Sequence, residues 1–315
     1  MTRLMFAVAL AAPLLGFGTT PSAAIAKPTP TAAAAPTGYQ PTRFSVVVEG
    51  DGPDIIFIPG LSSTREVWSA SAERLKKTHR VHLVQVRGFG EPAGPNATGP
   101  VLQPLVDDLA AYVRANRLTR PAIVGHSMGG LVTLMIGTQH PALPGKLMVV
   151  DAFPFIGPVF GAPDIATVTP RARQMRTMIL AQADKVTPDF ATRADCPATL
   201  PAPASIVGNM SNSGQGACVM RHGALASDLR VVGQSMYDDM VTDVRPDLAR
   251  IVAPLTMLYP QDDRLMTPAD ASAEYARAYV GANTATLVRI PGSYHFIMQD
   301  QPVAFAAALD AFLKP

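Results

Sequence analysis

Gly125-His126-Ser127-Met128-Gly129-Gly130 sets a serine between two glycines at G-x-S-x-G spacing. Residues 121–125 form a short apolar run with strand character, and residues 128–140 read as a helix that ends near Pro141. A serine on such a strand-to-helix turn stands clear of the chain, and its small neighbours let strand and helix approach each other. The N-terminal amides and positive dipole end of the helix point at the same spot. The chemistry this suits is attack on a carbonyl carbon. A serine hydroxyl is a weak nucleophile near neutral pH, so a base must stand beside it.

The six histidines are His79, His82, His126, His140, His222 and His295. For a serine on this kind of turn the partners follow in the order serine, acid, histidine, which removes the first three. His140 ends the helix that starts at the serine, roughly 20 Å away at a rise of 1.5 Å per residue. His222 lies in an irregular middle region. His295 follows the last apolar strand, in Gly292-Ser293-Tyr294-His295-Phe296, and is the expected base. An acid must fix its tautomer and stabilise the imidazolium. Asp263, with Asp262 as its immediate rival, directly follows the apolar run 255–259 and is the expected acid. Asp151, at the end of run 147–150, is a third candidate. It ranks lower because a carboxylate there serves more simply as a turn or cap former.

A tetrahedral intermediate also needs two aimed N–H donors. The amide of Met128, just after the serine, is one. The loop Pro59-Gly60-Leu61-Ser62 follows the apolar run 54–58, and the Leu61 amide is the expected second donor. Ser62 and Ser63 read as loop polar residues, and Trp68 as packing core.

Several elements must position these groups. Residues 44–49, 54–58, 81–86, 121–125 and 147–150 read as strands, with helices predicted at 64–78, around 101–113 and over 128–140. This alternation argues for a mostly parallel sheet flanked by helices. The pattern breaks at residues 153–246, which hold helical pieces (171–183 and 224–240) and no convincing strand. It resumes with strands 255–259 and 284–290 and helices 268–280 and 303–313. The chain is therefore read as a core in two parts, 42–152 and 247–315. Between them lies a helical cap insertion, 153–246, placed before the strand that carries the expected acid. Phe153, Phe155, Ile156, Val159 and Phe160 could line an apolar pocket or form the core of the insertion.

The N-terminus reads differently. Arg3 is the only charge before Lys27, residues 4–18 are apolar, and Ala24-Ile25-Ala26 matches an A-x-A cleavage site. Residues 1–26 are read as a secretory signal, and 27–41 as a flexible leader. The protein is expected to be exported, periplasmic or secreted, with no membrane insertion after signal removal. In an oxidising compartment Cys196 and Cys218 can pair, closing a loop of about 20 residues.

The 315 residues carry a formal charge of +2 with no Lys/Arg cluster, so nucleic-acid binding has no electrostatic footprint. Thirty prolines and 24 glycines occur without a period, which excludes collagen and repeat arrays. There is no H-E-x-x-H, the pair His79/His82 has no carboxylate companion, and no G-x-G-x-x-G follows the first strands. No metal and no cofactor is expected.

Four stretches resemble the α/β-hydrolase superfamily in its cap-bearing esterase and perhydrolase-like branch. They are Phe57-Ile58-Pro59-Gly60-Leu61, Val86-Arg87-Gly88-Phe89-Gly90, the Ser127 motif, and Asp262-Asp263-Arg264 together with His295-Phe296-Ile297-Met298. The resemblance implies an α/β-hydrolase fold, a cap at 153–246 and a histidine loop at 292–302. It also implies a small-molecule acyl substrate cleaved through an acyl-enzyme, most simply an ester. Pro59-Gly60 stands where many members have His-Gly, and Gln85 where many have Asp. The spacing from Asp263 to Pro268 is about one residue longer than in many relatives, which keeps Asp262 open. Amide, lactone, C–C and peroxide chemistry remain alternatives on the same triad. A non-catalytic ligand-binding member would have lost the serine, acid or histidine, and all three types are present.

Overall fold

The computed structural model describes residues 39–190, 195–205 and 209–314. Residues 1–38, which hold the expected secretory signal and most of the expected leader, lie outside the described residues.

The first strands are β1 (Phe44–Glu49), β2 (Asp54–Ile58) and β3 (Arg80–Val86), with α1 (Ser69–Leu75) between the last two. Then come α2 (Leu102–Ala115), β4 (Ala122–His126), α3 (Met128–Gln139) and β5 (Lys146–Val150). After an insertion holding α4 (Ile165–Ala183), α5 (Gly214–Leu225) and α6 (Leu229–Val241), the chain returns to the sheet. It does so as β6 (Leu255–Gln261), α7 (Pro268–Ala278), β7 (Ala285–Pro291), α8 (Ile297–Asp300) and α9 (Pro302–Leu313). The seven strands form one sheet in the order β1-β3-β2-β4-β5-β6-β7. Only β1 runs antiparallel to its neighbour; every other pairing is parallel.

The central strands β2, β4 and β5 are buried along almost their whole length because both faces of the sheet are covered there. Ile55 and Phe57 pack with Trp68 of the turn before α1 and with Phe305 and Leu309 of α9. Ile56 and Ile58 face the other way, with Leu105 and Leu109 of α2 and Leu131 of α3. Trp68 is fully buried, 5.0 Å from the Phe57 ring and 6.0 Å from Phe305. Burial of each such side chain stabilises by about 1.5–3 kcal/mol.

The single helix predicted over 64–78 is a short 3-10 turn, Arg65–Trp68, followed by α1. β6 continues past the expected residue 259 to Gln261, through Pro260. This is tolerated because β5 pairs only as far as Leu258, so the missing Pro260 N–H faces no neighbour there. The insertion is helical, and its pieces differ from the sequence reading. α4 begins six residues before 171, capped by the Asp164 carboxylate on the Thr167 amide, and carries Pro170 inside it. The helix predicted over 224–240 is two helices, because Asp228 caps a fresh start at Leu229. Ser227 makes an isolated bridge to Phe89 at the break.

Candidate active site

Ser127 sits at the junction of β4 and α3 with φ 54° and ψ −124°. Left-handed backbone of this kind is costly for a non-glycine residue and survives only where the surroundings enforce it. The enforcement is visible. The Ser127 amide donates to the Val150 carbonyl (3.0 Å), tying the turn to β5. A Cβ on Gly129 would lie 2.4 Å from the Ile58 carbonyl oxygen, so only glycine lets α3 seat against the end of β2. At Gly60 a Cβ would lie 3.0 Å from the Ser127 Cβ, which shows how closely the loop after β2 approaches the serine. In that loop the Leu61 amide, and at the head of α3 the Met128 amide, are taken up by no backbone carbonyl among the described residues.

His295 Nδ1 lies 2.6 Å from Asp151 Oδ2. The second oxygen of Asp151 accepts the Tyr275 hydroxyl of α7 at 2.5 Å. Tyr275 is enclosed between Phe153 and Tyr259, with ring centroids 4.8 and 4.7 Å away. Burial, reinforced by the Asp151 charge, pushes its hydroxyl well above the ordinary phenol range, so it stays a donor. Tyr279 anchors the same segment through the Ala152 carbonyl (2.7 Å).

The histidine loop is held from three sides. Gly292 N–H donates to the Gln261 carbonyl (2.6 Å) and Phe296 N–H to the Met210 carbonyl (3.1 Å). The Asp300 carboxylate accepts the Tyr294 amide (2.8 Å), the Ser211 hydroxyl and the Asn212 amide (3.1 Å). The insertion is thereby stitched to the loop that carries His295. Underneath, the fully buried His126 places Nε2 2.9 Å from the His295 carbonyl. A carbonyl only accepts, so Nε2 carries the proton and Nδ1 is bare. Burial first, then the neighbouring His295, hold His126 well below the ordinary histidine value, so it is neutral. Ser127 Oγ makes no hydrogen bond with a described residue. In an unliganded site the nucleophile–base contact is often long and closes with substrate.

Of the three candidate carboxylates, the structure brings Asp151 to His295 and leaves the expected Asp263 and its rival Asp262 with other partners. Asp263 is exposed and accepts from Gln261 Nε2 (2.7 Å). Asp262 accepts Arg264 N, Nε and Nη2 at 2.8–2.9 Å, which holds its carboxyl below the usual carboxylate value. Neither touches His295. The reason is the order of strands. β5 lies directly beside β4 with His126 opposite Val150, so the next residues, Ser127 and Asp151, emerge side by side. β6 is one strand further away, and its carboxylates fold back into their own turn. The insertion therefore follows β5, the strand that delivers Asp151 to His295, and precedes β6, whose carboxylates do not reach it. Sequence reasoning also passed over Tyr275, an unremarkable position on a helix. The signal for Asp151 was present, since it directly ends the strand after the serine helix.

Phe155 belongs to the buried core, with Arg245 stacked over it, while Phe153, Ile156, Val159 and Phe160 are half-buried. Cys196 and Cys218 form a disulfide (Cα–Cα 5.7 Å). Together with His222 they bring three potential metal ligands within 4.8 Å, but two of the donors are spent in the S–S bond. No described helix is long and apolar enough to cross a membrane.

Comparison with known proteins agrees with this architecture. The chain is 26% identical over 232 residues to a pimeloyl-[acyl-carrier protein] methyl ester esterase of Vibrio atlanticus (strain LGP32), covering 73% of this chain and 84% of that one. With another esterase of the same name the matched stretch is 106 residues, 39% of its length. Among solved structures, a thermophilic esterase from Thermogutta terrifontis superposes with a TM-score of 0.66 at 21% identity, covering 86% of this chain and 92% of that one. The enol-lactonase from Burkholderia xenovorans LB400 gives 0.63 at 20% identity, with 86% and 96% covered. These two likenesses are of fold. A model of the alpha/beta hydrolase family matches residues 55–308. The chain belongs to the alpha/beta hydrolase family.

Proposed function

We propose that this protein is an exported serine hydrolase that cleaves a small-molecule carboxylic ester through an acyl-enzyme, with Ser127 as nucleophile, His295 as base and Asp151 as acid. The observation that carries the reading is the 2.6 Å contact between His295 Nδ1 and Asp151 Oδ2 at the carboxyl end of the sheet, beside the strained Ser127. An ionised Asp151 accepts from Nδ1–H, so His295 Nε2 is left bare to take a proton. Ser127 Oγ bonds to the ester carbonyl carbon as its proton passes to Nε2. The carbonyl π electrons move onto oxygen, which the Leu61 and Met128 amides receive. Collapse of the intermediate breaks the C–O bond, and Nε2 returns the proton to the departing alcohol. Water then attacks the acyl-serine by the same route, releasing the acid and restoring Ser127. Relatives that are esterases support an ester over other acyl substrates. Export is supported by the single charge and apolar run of the first 26 residues and by the disulfide, which persists best in an oxidising compartment.

The test is initial hydrolysis of 4-nitrophenyl esters from acetyl to palmitoyl by the mature protein, beside Ser127→Ala. Activity that disappears in the variant, with an unchanged melting temperature, is the expected result. Retained turnover removes Ser127 from the role, and no turnover on any ester by the folded protein removes ester hydrolysis.

A further inference from the structure

One buried histidine takes no part in the mechanism above. His126 is the last residue of β4, and strand alternation puts its side chain on the face it shares with Val124, which Trp68 and Phe296 cover. The ring is buried and held among aromatic groups. Its centroid lies 4.5 Å from the His295 ring, 4.8 Å from Phe296 and 6.5 Å from Trp68. Nε2 donates to the His295 carbonyl at 2.9 Å. No backbone amide among the described residues donates to that carbonyl, so the imidazole is its partner. The other edge of the ring meets the loop after β2. A Cβ on Gly60 would lie 3.1 Å from His126 Nδ1, so the bare chain of that loop rests against it. Nδ1 is buried and has no hydrogen-bond partner among the described residues. An orphaned buried nitrogen is costly and calls for a reason. An apolar side chain would fill the same slot without it, so packing does not explain a histidine here.

We propose that His126 is a positioning residue for the acyl transfer: one of its nitrogens holds the peptide of the base and its other edge seats the loop that carries Leu61, so that a single buried ring sets the distance between His295 and the oxyanion donor. The inference rests on the esterase reading of Ser127 and His295. The other bonds of the histidine loop fall on the amides of Gly292, Tyr294 and Phe296. His295 itself is gripped at two points, its Nδ1 by Asp151 and its carbonyl by His126. With the carbonyl released, the peptide is free to turn and Nε2 leaves its line to Ser127. A displacement of about 1 Å in such a geometry costs about 10²-fold in rate. The surroundings also keep His126 uncharged. Burial first, then the neighbouring His295, hold it well below the ordinary histidine value, so no second cation stands beside the imidazolium that His295 becomes in the reaction.

His126→Gln and His126→Asn separate the hydrogen bond from the packing. The Gln amide nitrogen stands as far along the side chain as Nε2 and reaches the His295 carbonyl, whereas the Asn nitrogen stands where Nδ1 does and falls short. The experiment measures kcat and KM on 4-nitrophenyl butyrate for the wild type, these two variants and His126→Leu, with urea unfolding as the fold control. The tautomer of His295 is read from long-range proton–nitrogen NMR correlations of its ring. His126→Leu and His126→Asn should lower kcat by about 10²-fold, with KM nearly constant because the ring is buried behind the site. His126→Gln should restore most of the rate. His295 should hold its proton on Nδ1 in the wild type and in His126→Gln, and share it between both nitrogens in the other two. An unchanged kcat in His126→Leu and His126→Asn, or an equal loss in all three variants, overturns the proposal; turnover by the wild type beside an inactive Ser127→Ala leaves the esterase reading standing. If the wild type hydrolyses no ester, that reading falls and the tautomers decide: one pattern in all four proteins overturns the positioning role as well, and the split between Gln and Asn upholds it. If His126→Leu does not fold, the contrast between Gln and Asn decides alone.

Discussion

Replacing Asp151 by Asn tests the proposed triad most directly. Asn is nearly isosteric, and Tyr275 and His295 both remain to hold it. If the amide NH2 faces Tyr275, whose oxygen can accept, the amide oxygen still receives the His295 Nδ1–H, and the productive tautomer survives. What disappears is the negative charge beside the imidazolium formed in the transition state. With Nδ1 and Oδ2 2.6 Å apart, the charge centres are roughly 4 Å apart. At an effective dielectric of about 20 such a pair is worth about 4 kcal/mol. That corresponds to a fall in kcat/KM of about 10³-fold. If the amide flips, NH2 faces Nδ1, Nε2 carries the proton, and the loss is larger still. The assay is kcat/KM on a short 4-nitrophenyl ester, with thermal melting as the fold control. Asp263→Asn runs in parallel and should change kcat/KM by less than about threefold, since its carboxyl is exposed and among the described residues meets only Gln261. A large loss for Asp263→Asn with a small one for Asp151→Asn would refute the assignment and the strand-order argument behind it.

Two further outcomes concern stability. Reducing the Cys196–Cys218 bond, whose residues are 22 apart in sequence, should cost about 3 kcal/mol, roughly a 5–10 °C fall in melting temperature; an unchanged melting temperature after verified reduction would show that the bond does not stabilise the fold. Asp239 should make the folded state less stable as pH rises. Its proton is held to about 7 in the folded protein against an ordinary 3.8, so between these values the folded state binds more protons than the unfolded chain, and stability falls with rising pH across that window. The full difference corresponds to about 4 kcal/mol, and the solvent contact of the carboxyl lowers it to about 2–4 kcal/mol. Asp239→Asn should therefore stabilise the protein at pH 8 and have little effect at pH 4, as read by urea unfolding. Equal effects at both pH values would contradict the raised value of the Asp239 carboxyl.

The elements that do local work were legible in the residues themselves. A β-branched run, a glycine-flanked serine and an apolar helix are contiguous in sequence, so the Ser127 turn follows from sterics at neighbouring positions. The alternation of strands and helices likewise reports a sheet covered on both faces, because covered strands must be apolar throughout. Helix boundaries inside the insertion were less legible. Pro170 suggests a stop, but Asp164 starts α4 before it, and the break at Asp228 interrupts an otherwise helical composition. Which carboxylate meets His295 was not decided by local sequence at all. Asp151, Asp262 and Asp263 each follow an apolar strand. Choosing among them requires knowing which strand lies next to β4 and in what register, and that is a property of the assembled sheet. Sequence determined the turn that presents Ser127, because that turn is made of adjacent residues. Tertiary structure decided which carboxylate meets His295, because that partnership depends on distance through space.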